Sequence, residues 1–480
     1  MHSAAEALQV LRDLSESAVV QKLSHAFSRA GEELALVGGP VRDAFIGRGV
    51  NDLDFTTSAR PDTILKIVEP LAEAVWDIGR DFGTIGAQVL GEKIEITTYR
   101  SDDYDGATRK PEVHFGDSIE ADLRRRDFTV NALAVKLPEL TLVDPYGGIE
   151  DLLRGRLVTP APAEVSFGDD PLRMMRAARF VAQLGFDLDD HAEWAMTEMA
   201  EAITRISAER VNDELVKLLS AASPEAGIRL LVRTGIAGYV LPEVAALRLE
   251  VDEHHHHKDV YEHSLTVMTQ AIELEQARHP GQPADVTLRL AALLHDIGKP
   301  DTRRLEAGGA VTFHHHDMVG SKLAVKRLRA LRFDKETTTQ VARLIELHLR
   351  FFGYSEAAWS DSAVRRYVRD AGDQLERLHI LTRADVTTRN KRKADRLAHA
   401  YDDLERRIAE LAAQEQLDSV RPELDGEQIM AILDIPPGRR VGEAYAFLLN
   451  LRLDEGPMGE EEAIRRLRSW HDSLPSAKPG

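Results

Sequence analysis

The spacing of hydrophobic positions changes period once along this chain. Between about Leu34 and Asp144, the short runs ELALVGG, DLDFTT, TIGAQVL, KIEITTYR and NALAV carry β-type patterning and are separated by turn residues and helical segments. That pattern predicts a small α/β domain with a mixed sheet. After the turn Asp144-Pro145-Tyr146-Gly147-Gly148 the strand signal almost vanishes, and Leu, Ala, Arg and Glu recur at helical spacing to the end. The fold class is therefore α+β, a mixed-sheet head followed by helical domains. Leu241-Pro242-Glu243, the polar run from Val251 to Lys258 and the charged stretch after Asp385 offer boundaries. These divide the chain into 1–150 with an N-terminal helix, 151–250, 251–390 and 391–480. The closing SAKPG reads as a disordered tail.

Composition narrows the classes. A chain of 480 residues exceeds one compact core, so several units are expected. Its longest apolar runs fall well short of the ~20 residues a membrane span needs. Residues Met1 to Ala30 lack the basic start, apolar centre and cleavage site of a signal peptide, which points to the cytoplasm. With no cysteine, any metal must be held by His, Asp and Glu. The net charge of −19 argues against non-specific coating of nucleic acid but leaves room for local binding. Basic clusters occur at Arg124 to Arg126, Lys322 to Arg332 and Arg389 to Arg396; the last two, taken singly, read as solvated helix faces.

Candidate chemistry begins at Leu36-Val37-Gly38-Gly39, a strand ending in two glycines, followed by Pro40-Val41-Arg42-Asp43, which can open a helix. Such a turn lets phosphate approach the backbone. In Asp52-Leu53-Asp54-Phe55, strand alternation sets both carboxylates on one face and Leu53 and Phe55 on the other. Two acids so placed are either a solvated edge or a Mg²⁺ site whose ion would bridge triphosphate oxygens. Glu95, between Ile94 and Ile96, either joins that acidic face or is an exposed strand glutamate. Further on, Pro171 fits the first position of a helix with Asp170 as its N-cap. Spacing by three then lays Arg173, Arg176 and Arg179 along one stripe among Met174, Met175, Phe180 and Leu184, where arginines must find anions or carboxylates.

Four segments in order, Gly38 to Asp43, Asp52 to Asp54, Arg125-Arg126-Asp127-Phe128-Thr129-Val130-Asn131-Ala132, and Asp170-x-x-Arg173-x-x-Arg176, resemble the signature motifs of class II tRNA nucleotidyltransferases and bacterial poly(A) polymerases. The match runs from about Leu34 to Glu243 and includes Ile206-Ser207-Ala208-Glu209-Arg210. Pro40 and Asp169 depart from the usual pattern without removing a needed chemical group. The resemblance implies that Asp52 and Asp54 hold Mg²⁺, that Gly39, Arg42 and Arg126 contact phosphates or sugar, that Asp170 and Arg173 read the edge of incoming C or A, and that Arg176 and Arg179 support the nucleotide. It also implies tRNA, ATP and CTP as partners. CCA addition and poly(A) addition share these motifs; the acidic chain has no basic extension for generic RNA, which favours CCA, with A-only or CC-only addition open.

His263, the His295-Asp296 pair and Asp385 resemble the ligand pattern of HD-domain phosphohydrolases, with His316 and His348 matching the extra ligands of binuclear members. The resemblance implies a second divalent metal, Mn²⁺, Fe²⁺, Ni²⁺, Co²⁺ or Mg²⁺, that would activate water, with Lys299 stabilising charge. A phosphodiesterase or phosphatase as the main activity is the competing class. The run His254 to His257 reads either as a polar loop, the preferred assignment, or as an extension of the metal site. The segment Asp425 to Trp470 resembles the helical tail of HD-containing nucleotidyltransferases and is assigned to contact the RNA body.

Overall fold

The computed structural model of the protein describes all residues except 1, 51–52, 78–82, 102–113, 117, 250–258, 307–310, 352–353, 355–358, 389, 416–420 and 475–480. Asp52, the run His254 to His257 and the closing SAKPG segment lie outside the described residues. The chain divides into two compact units, Met1–Val240 and Leu241–Gly480. No helix among the described residues is long and apolar enough to cross a membrane.

In the first unit, α1 (Ala4–Ser15) opens with a capping box in which the Ser3 hydroxyl accepts from the Glu6 N–H and the Glu6 carboxylate accepts from the Ser3 N–H. There follow α2 (Ala18–Ala30), β1 (Leu34–Val37), α3 (Gly39–Ile46), β2 (Leu53–Thr57), α4 (Pro61–Val68), β3 (Ala74–Trp76), β4 (Thr84–Val89) and β5 (Glu92–Thr98). The short pair β6 (Arg100–Ser101) and β7 (His114–Phe115), α5 (Ile119–Arg124), β8 (Ala134–Leu137) and β9 (Thr141–Val143) complete the head. The mixed sheet has the order β3-β4-β5-β2-β1-β8-β9, in which β2 and β5 are parallel. The runs expected to be strands form β1, β2, β4, β5 and β8; β3 and β9, three residues each, are too short to show a period.

Alternation gives the sheet two different faces. Leu36, Phe55, Ile96 and Ile85 lie opposite one another along the ladder and are all fully buried. The opposite face is closed at one end, where Ala35 and Val37 pack against Ile119 and Leu123 of α5. Farther along that same face stand Asp54 and Glu95. The helical remainder of the unit comprises α6 (Gly148–Arg154), α7 (Ala163–Asp169), α8 (Leu172–Leu184), α9 (Asp190–Glu198), α10 (Ala208–Leu219), α11 (Pro224–Arg233) and α12 (Ala237–Val240). A Cβ on Gly227 would lie 2.5 Å from the Ala178 carbonyl oxygen, so α11 meets α8 backbone to side-chain-free backbone. The helix at the fourth motif begins one residue later than expected. Pro171 is its N-cap, and Asp170 accepts from the Leu172 N–H at 3.1 Å.

Among its described residues, the second unit carries helices and one short antiparallel strand pair, Arg304–Leu305 with Val311–Thr312. Its helices are α13 (Pro242–Ala246), α14 (Val260–Arg278), α15 (Val286–Leu294), α16 (Lys299–Thr302), α17 (His316–Ala330), α18 (Lys335–Leu347), α19 (Asp361–Ala371), α20 (Leu375–Ala384), α21 (Lys391–Glu415), α22 (Gly426–Leu433), α23 (Arg439–Glu455) and α24 (Glu460–Asp472). The last three share their own core of Leu424, Ile429, Ala444, Leu448, Ala463 and Leu467. Arg327, in a cluster expected to be merely solvated, instead makes a two-pronged ion pair with Glu243.

Candidate active site and candidate metal centre

A cavity of about 750 Å³ opens between the sheet of the head and α8, and it brings most of the first constellation together. Gly38, Gly39, Arg42, Asp54, Glu95, Arg126, Asp170, Arg173, Arg176 and Arg179 all line it. Asp54 and Glu95 are direct neighbours in the parallel β2–β5 ladder, so both carboxylates stand on one face, while Leu53 and Ile94 in the next row are buried behind them. Gly38 has φ 74°, a conformation that favours glycine, and its N–H donates to the Leu133 carbonyl. A Cβ there would lie 3.0 Å from Arg126 Nη1. The bare turn thus admits an arginine where a side chain would stand.

The arginines form a fixed cationic wall. Arg42 donates to Asn131 Oδ1 at 2.7 Å and to Asp43 at 2.9 Å. Arg126 is 3.5 Å from buried Asp122, which also accepts from Thr56 Oγ1. The guanidiniums of Arg42, Arg176 and Arg179 lie 5.5, 5.5 and 4.1 Å from the Phe180 ring centre, and that ring is held edge-on by Phe128. Arg176 makes two bonds to Asp127 Oδ2 at 2.5 and 2.7 Å, while Arg179 donates to Glu214 at 2.6 Å. Burial works against the Asp127 charge, but Arg176, Asn131 and the Phe128 N–H outweigh it and hold the carboxyl well below its ordinary value.

Arg173 is buried, and three of its bonds go to the Ser166 carbonyl and hydroxyl and the Arg125 carbonyl. These bonds fix the plane of the guanidinium, a group with five N–H donors, at the wall of the cavity. Asp170 Oδ2 accepts from Arg210 at 2.9 Å. Arg210, Asp127, Asn131 and Glu214 were not singled out as site residues from the sequence. Arg210, Asp127 and Asn131 lie inside quoted motifs, but which acid meets which arginine depends on helix packing that spacing does not encode.

In the second unit, His263, His295 and Asp385 form one group of possible ligands, and Asp296, His316 and His348 form another. His263 Nε2 is 2.9 Å from Asp385 Oδ1 and 3.3 Å from His295 Nε2; His316 Nε2 is 3.3 Å from Asp296 Oδ1. The Nδ1 atoms of His295, His316 and His348 face the carbonyls of Ala292, Phe313 and Ile345, at 2.9, 2.9 and 2.6 Å. Such bonds fix each ring with Nε2 directed inward, the arrangement typical of metal-ligating imidazoles. Nε2 of His316 and of His348 is buried without a hydrogen bond. Burial, together with neighbouring histidines, pushes His348 down to about 4, keeping it neutral as a ligand must be. Lys299 Nζ is 2.8 Å from Asp296. A Cβ on Gly298 would lie 2.1 Å from the His316 carbonyl oxygen and 2.6 Å from the Gly320 nitrogen, so the chain after Asp296 touches α17 backbone to backbone. Donors and orphaned atoms alike fit divalent metal.

A glycine turn beside strand carboxylates, facing a helix of clamped arginines, defines the nucleotidyltransferase class, here joined to a histidine-rich helical unit. Residues 34–158 match the poly A polymerase head domain, 185–247 the probable RNA and SrmB-binding site of polymerase A, and 260–390 the HD domain. The chain is 34% identical to the A-adding tRNA nucleotidyltransferase of Deinococcus radiodurans over 459 residues, 92% of this chain and 96% of that protein. It is 41% identical to the CCA-adding enzyme of Geobacillus kaustophilus over 219 residues, 45% of this chain and 53% of that one. The solved structure of the Bacillus stearothermophilus CCA-adding enzyme in complex with CTP shares the fold, with a TM-score of 0.66 at 24% identity over 95% of this chain and 100% of that chain. The protein belongs to the CCA-adding enzyme and poly(A) polymerase family, as a member carrying an HD domain.

Proposed function

We propose that this protein extends the 3′ end of tRNA, adding C, C and A from CTP and ATP. The observation that carries the reading is the Asp54–Glu95 carboxylate row set beside the arginine wall in one cavity. Asp54, with Asp52 from the sequence pattern and Glu95 as a third carboxylate, would hold Mg²⁺. The ion, when bound, would polarise the α-phosphate and favour ionisation of the attacking 3′-hydroxyl. Arg42 and Arg126, beside the Gly38-Gly39 turn, draw the triphosphate to their side of the row. The 3′-oxygen bonds to the α-phosphorus, the bond to the β-phosphate bridge breaks, pyrophosphate leaves and the hydroxyl proton is released.

Asp170 and Arg173 are assigned to the base. A carboxylate acceptor and an arginine donor can together match the edge of C or A, and G or U would leave buried groups unpaired. Asp170→Ala should therefore relax the choice among the four nucleoside triphosphates more than it lowers the rate with CTP, measured at matched Mg²⁺. An unchanged preference for C and A would sink this role. Parallel loss of stability and of all incorporation would reduce Asp170 to its contact with the Leu172 N–H.

A second reading, addition of only part of CCA, is favoured by one observation: relatives matched along nearly their whole length bear A-adding and CC-adding names, while the CCA-adding relative matches over about half. Acceptors ending before CCA, after C and after CC, each offered single nucleotides, separate the two readings. Extension of the last substrate alone, by ATP alone, would replace CCA addition with A-only addition; extension of the first two by CTP, with no use of ATP, would replace it with CC-only addition.

The HD unit is proposed to hold two divalent ions and to hydrolyse phosphoesters. His316→Ala and His348→Ala should each lower the metal bound per folded chain, beyond any Mg²⁺ held by the head, from about two ions to about one, read by elemental analysis. Unchanged metal content would refute the two-triad assignment.

A further inference from the structure

We propose that Trp76 is the platform on which the terminal base of the acceptor strand stacks; this rests on the transferase reading above. Along the ladder, Trp76 lies opposite Gly86, Gly86 opposite Glu95, and Glu95 opposite Asp54, so the four occupy one row across one face of the sheet. The indole lies over Gly86: a Cβ there would fall 1.9 Å from Nε1 and 2.4 Å from Cε2. A glycine is what lets the ring lie across β4 toward the carboxylates. Trp76 is only half-buried, and it lines the same cavity as Glu95, Lys93 and Asp54.

The order of strands gives this position its meaning. On one flank of Asp54 is β1, which runs into Gly38 and leads to Gly39 and Arg42; on the other are β5, β4 and β3 in turn. Attacking and leaving oxygens stand on opposite sides of the phosphorus in an in-line displacement. A triphosphate drawn to the arginine flank releases pyrophosphate there, so the acceptor hydroxyl arrives from the β5 flank. Its aromatic surface is Trp76, and Lys93, two residues before Glu95 and so on the same face of β5, is an exposed cation suited to the neighbouring phosphate. Aromatic stacking holds any base, as an acceptor whose terminal nucleotide changes with each addition requires.

The competing account is that the ring only covers a glycine near the edge of the sheet. The full chain should be assayed with RNA hairpins carrying an acceptor stem, ending in an ordinary nucleotide or in an abasic sugar with a free 3′-hydroxyl. Removal of the base should raise the acceptor KM about tenfold, and Trp76→Leu should do the same for the ordinary hairpin. The two changes together should add little, the CTP KM should stay within about twofold, and Trp76→Phe should recover most of the loss. Equal sensitivity to the missing base in the native protein and in Trp76→Leu would overturn the proposal, as would a parallel rise in CTP and acceptor KM. If Trp76→Leu fails to fold, a hairpin ending in 2-aminopurine reports on the native protein directly: quenching on binding is expected, and unchanged fluorescence of the bound hairpin is the overturning result. A native protein that extends no ordinary hairpin would remove the transferase reading first, and this proposal with it.

Discussion

Asp54→Ala is expected to lower nucleotide incorporation by about 10³-fold or more while the head stays folded, because loss of metal-based stabilisation worth several kcal/mol translates at about 1.4 kcal/mol per tenfold in rate. Folding should survive because the face of β2 that fills the core carries Leu53 and Phe55, whereas Asp54 looks into the cavity. Glu95→Gln should also slow incorporation, by a smaller factor, since Glu95 shares the row and keeps its shape in the amide. The measurement is single-turnover addition of CTP to a tRNA lacking its terminus, alongside a thermal melt of each variant. Incorporation by folded Asp54→Ala within about tenfold of the native rate would remove Asp54 from the metal site.

The second large effect concerns stability. Asp127→Asn should cost about 3 kcal/mol, the lower end expected when one partner of a buried ion pair is removed, because Arg176 keeps a longer contact with Glu214 at 3.6 Å and is partly exposed. Its pH dependence has a definite sign. The folded carboxyl sits below the ordinary value of 3.8, so its contribution is complete above that value and is lost as pH falls from there toward the folded pKa. Urea midpoints of the native protein should therefore drop faster than those of Asp127→Asn between about pH 4 and pH 2. Parallel curves across that window would show that the Asp127 charge is not what secures Arg176.

Elements with several residues in period were legible from sequence. The strand around Asp54 shows this: Leu53 and Phe55 alternate with polar neighbours, and the structure buries both. The histidines were legible as a set only through their resemblance to the HD-domain ligand pattern, since singly each reads as a surface or core residue, and the fold gathers His263, His295, His316 and His348. Trp76 was not legible, since a three-residue strand has no period and its place is fixed only by pairing with β4. Pairings such as Arg176 with Asp127 were hidden for the same reason: residues 49 apart meet only after α8 packs on the head. The expected N-cap at Asp170 missed by one position because the first turn is wound with i→i+3 bonds, from the Arg173 and Met174 N–H groups to the carbonyls of Asp170 and Pro171; the Asp170 carboxylate still accepts from the Leu172 N–H.

Gly38 and Gly298 carry the same letter for different reasons. At Gly38 the backbone turns to φ 74°, and what matters is a dihedral angle. At Gly298 the φ is −81°, which any residue can adopt, and what matters is missing volume. Because the chain after Asp296 rests directly on the backbone at His316 and Gly320, the spacing of Asp296 and His316, two members of one ligand triad, is ruled by main-chain dimensions rather than by adjustable side chains. The glycine acts as a spacer of zero thickness, and the length it sets is that across a single triad.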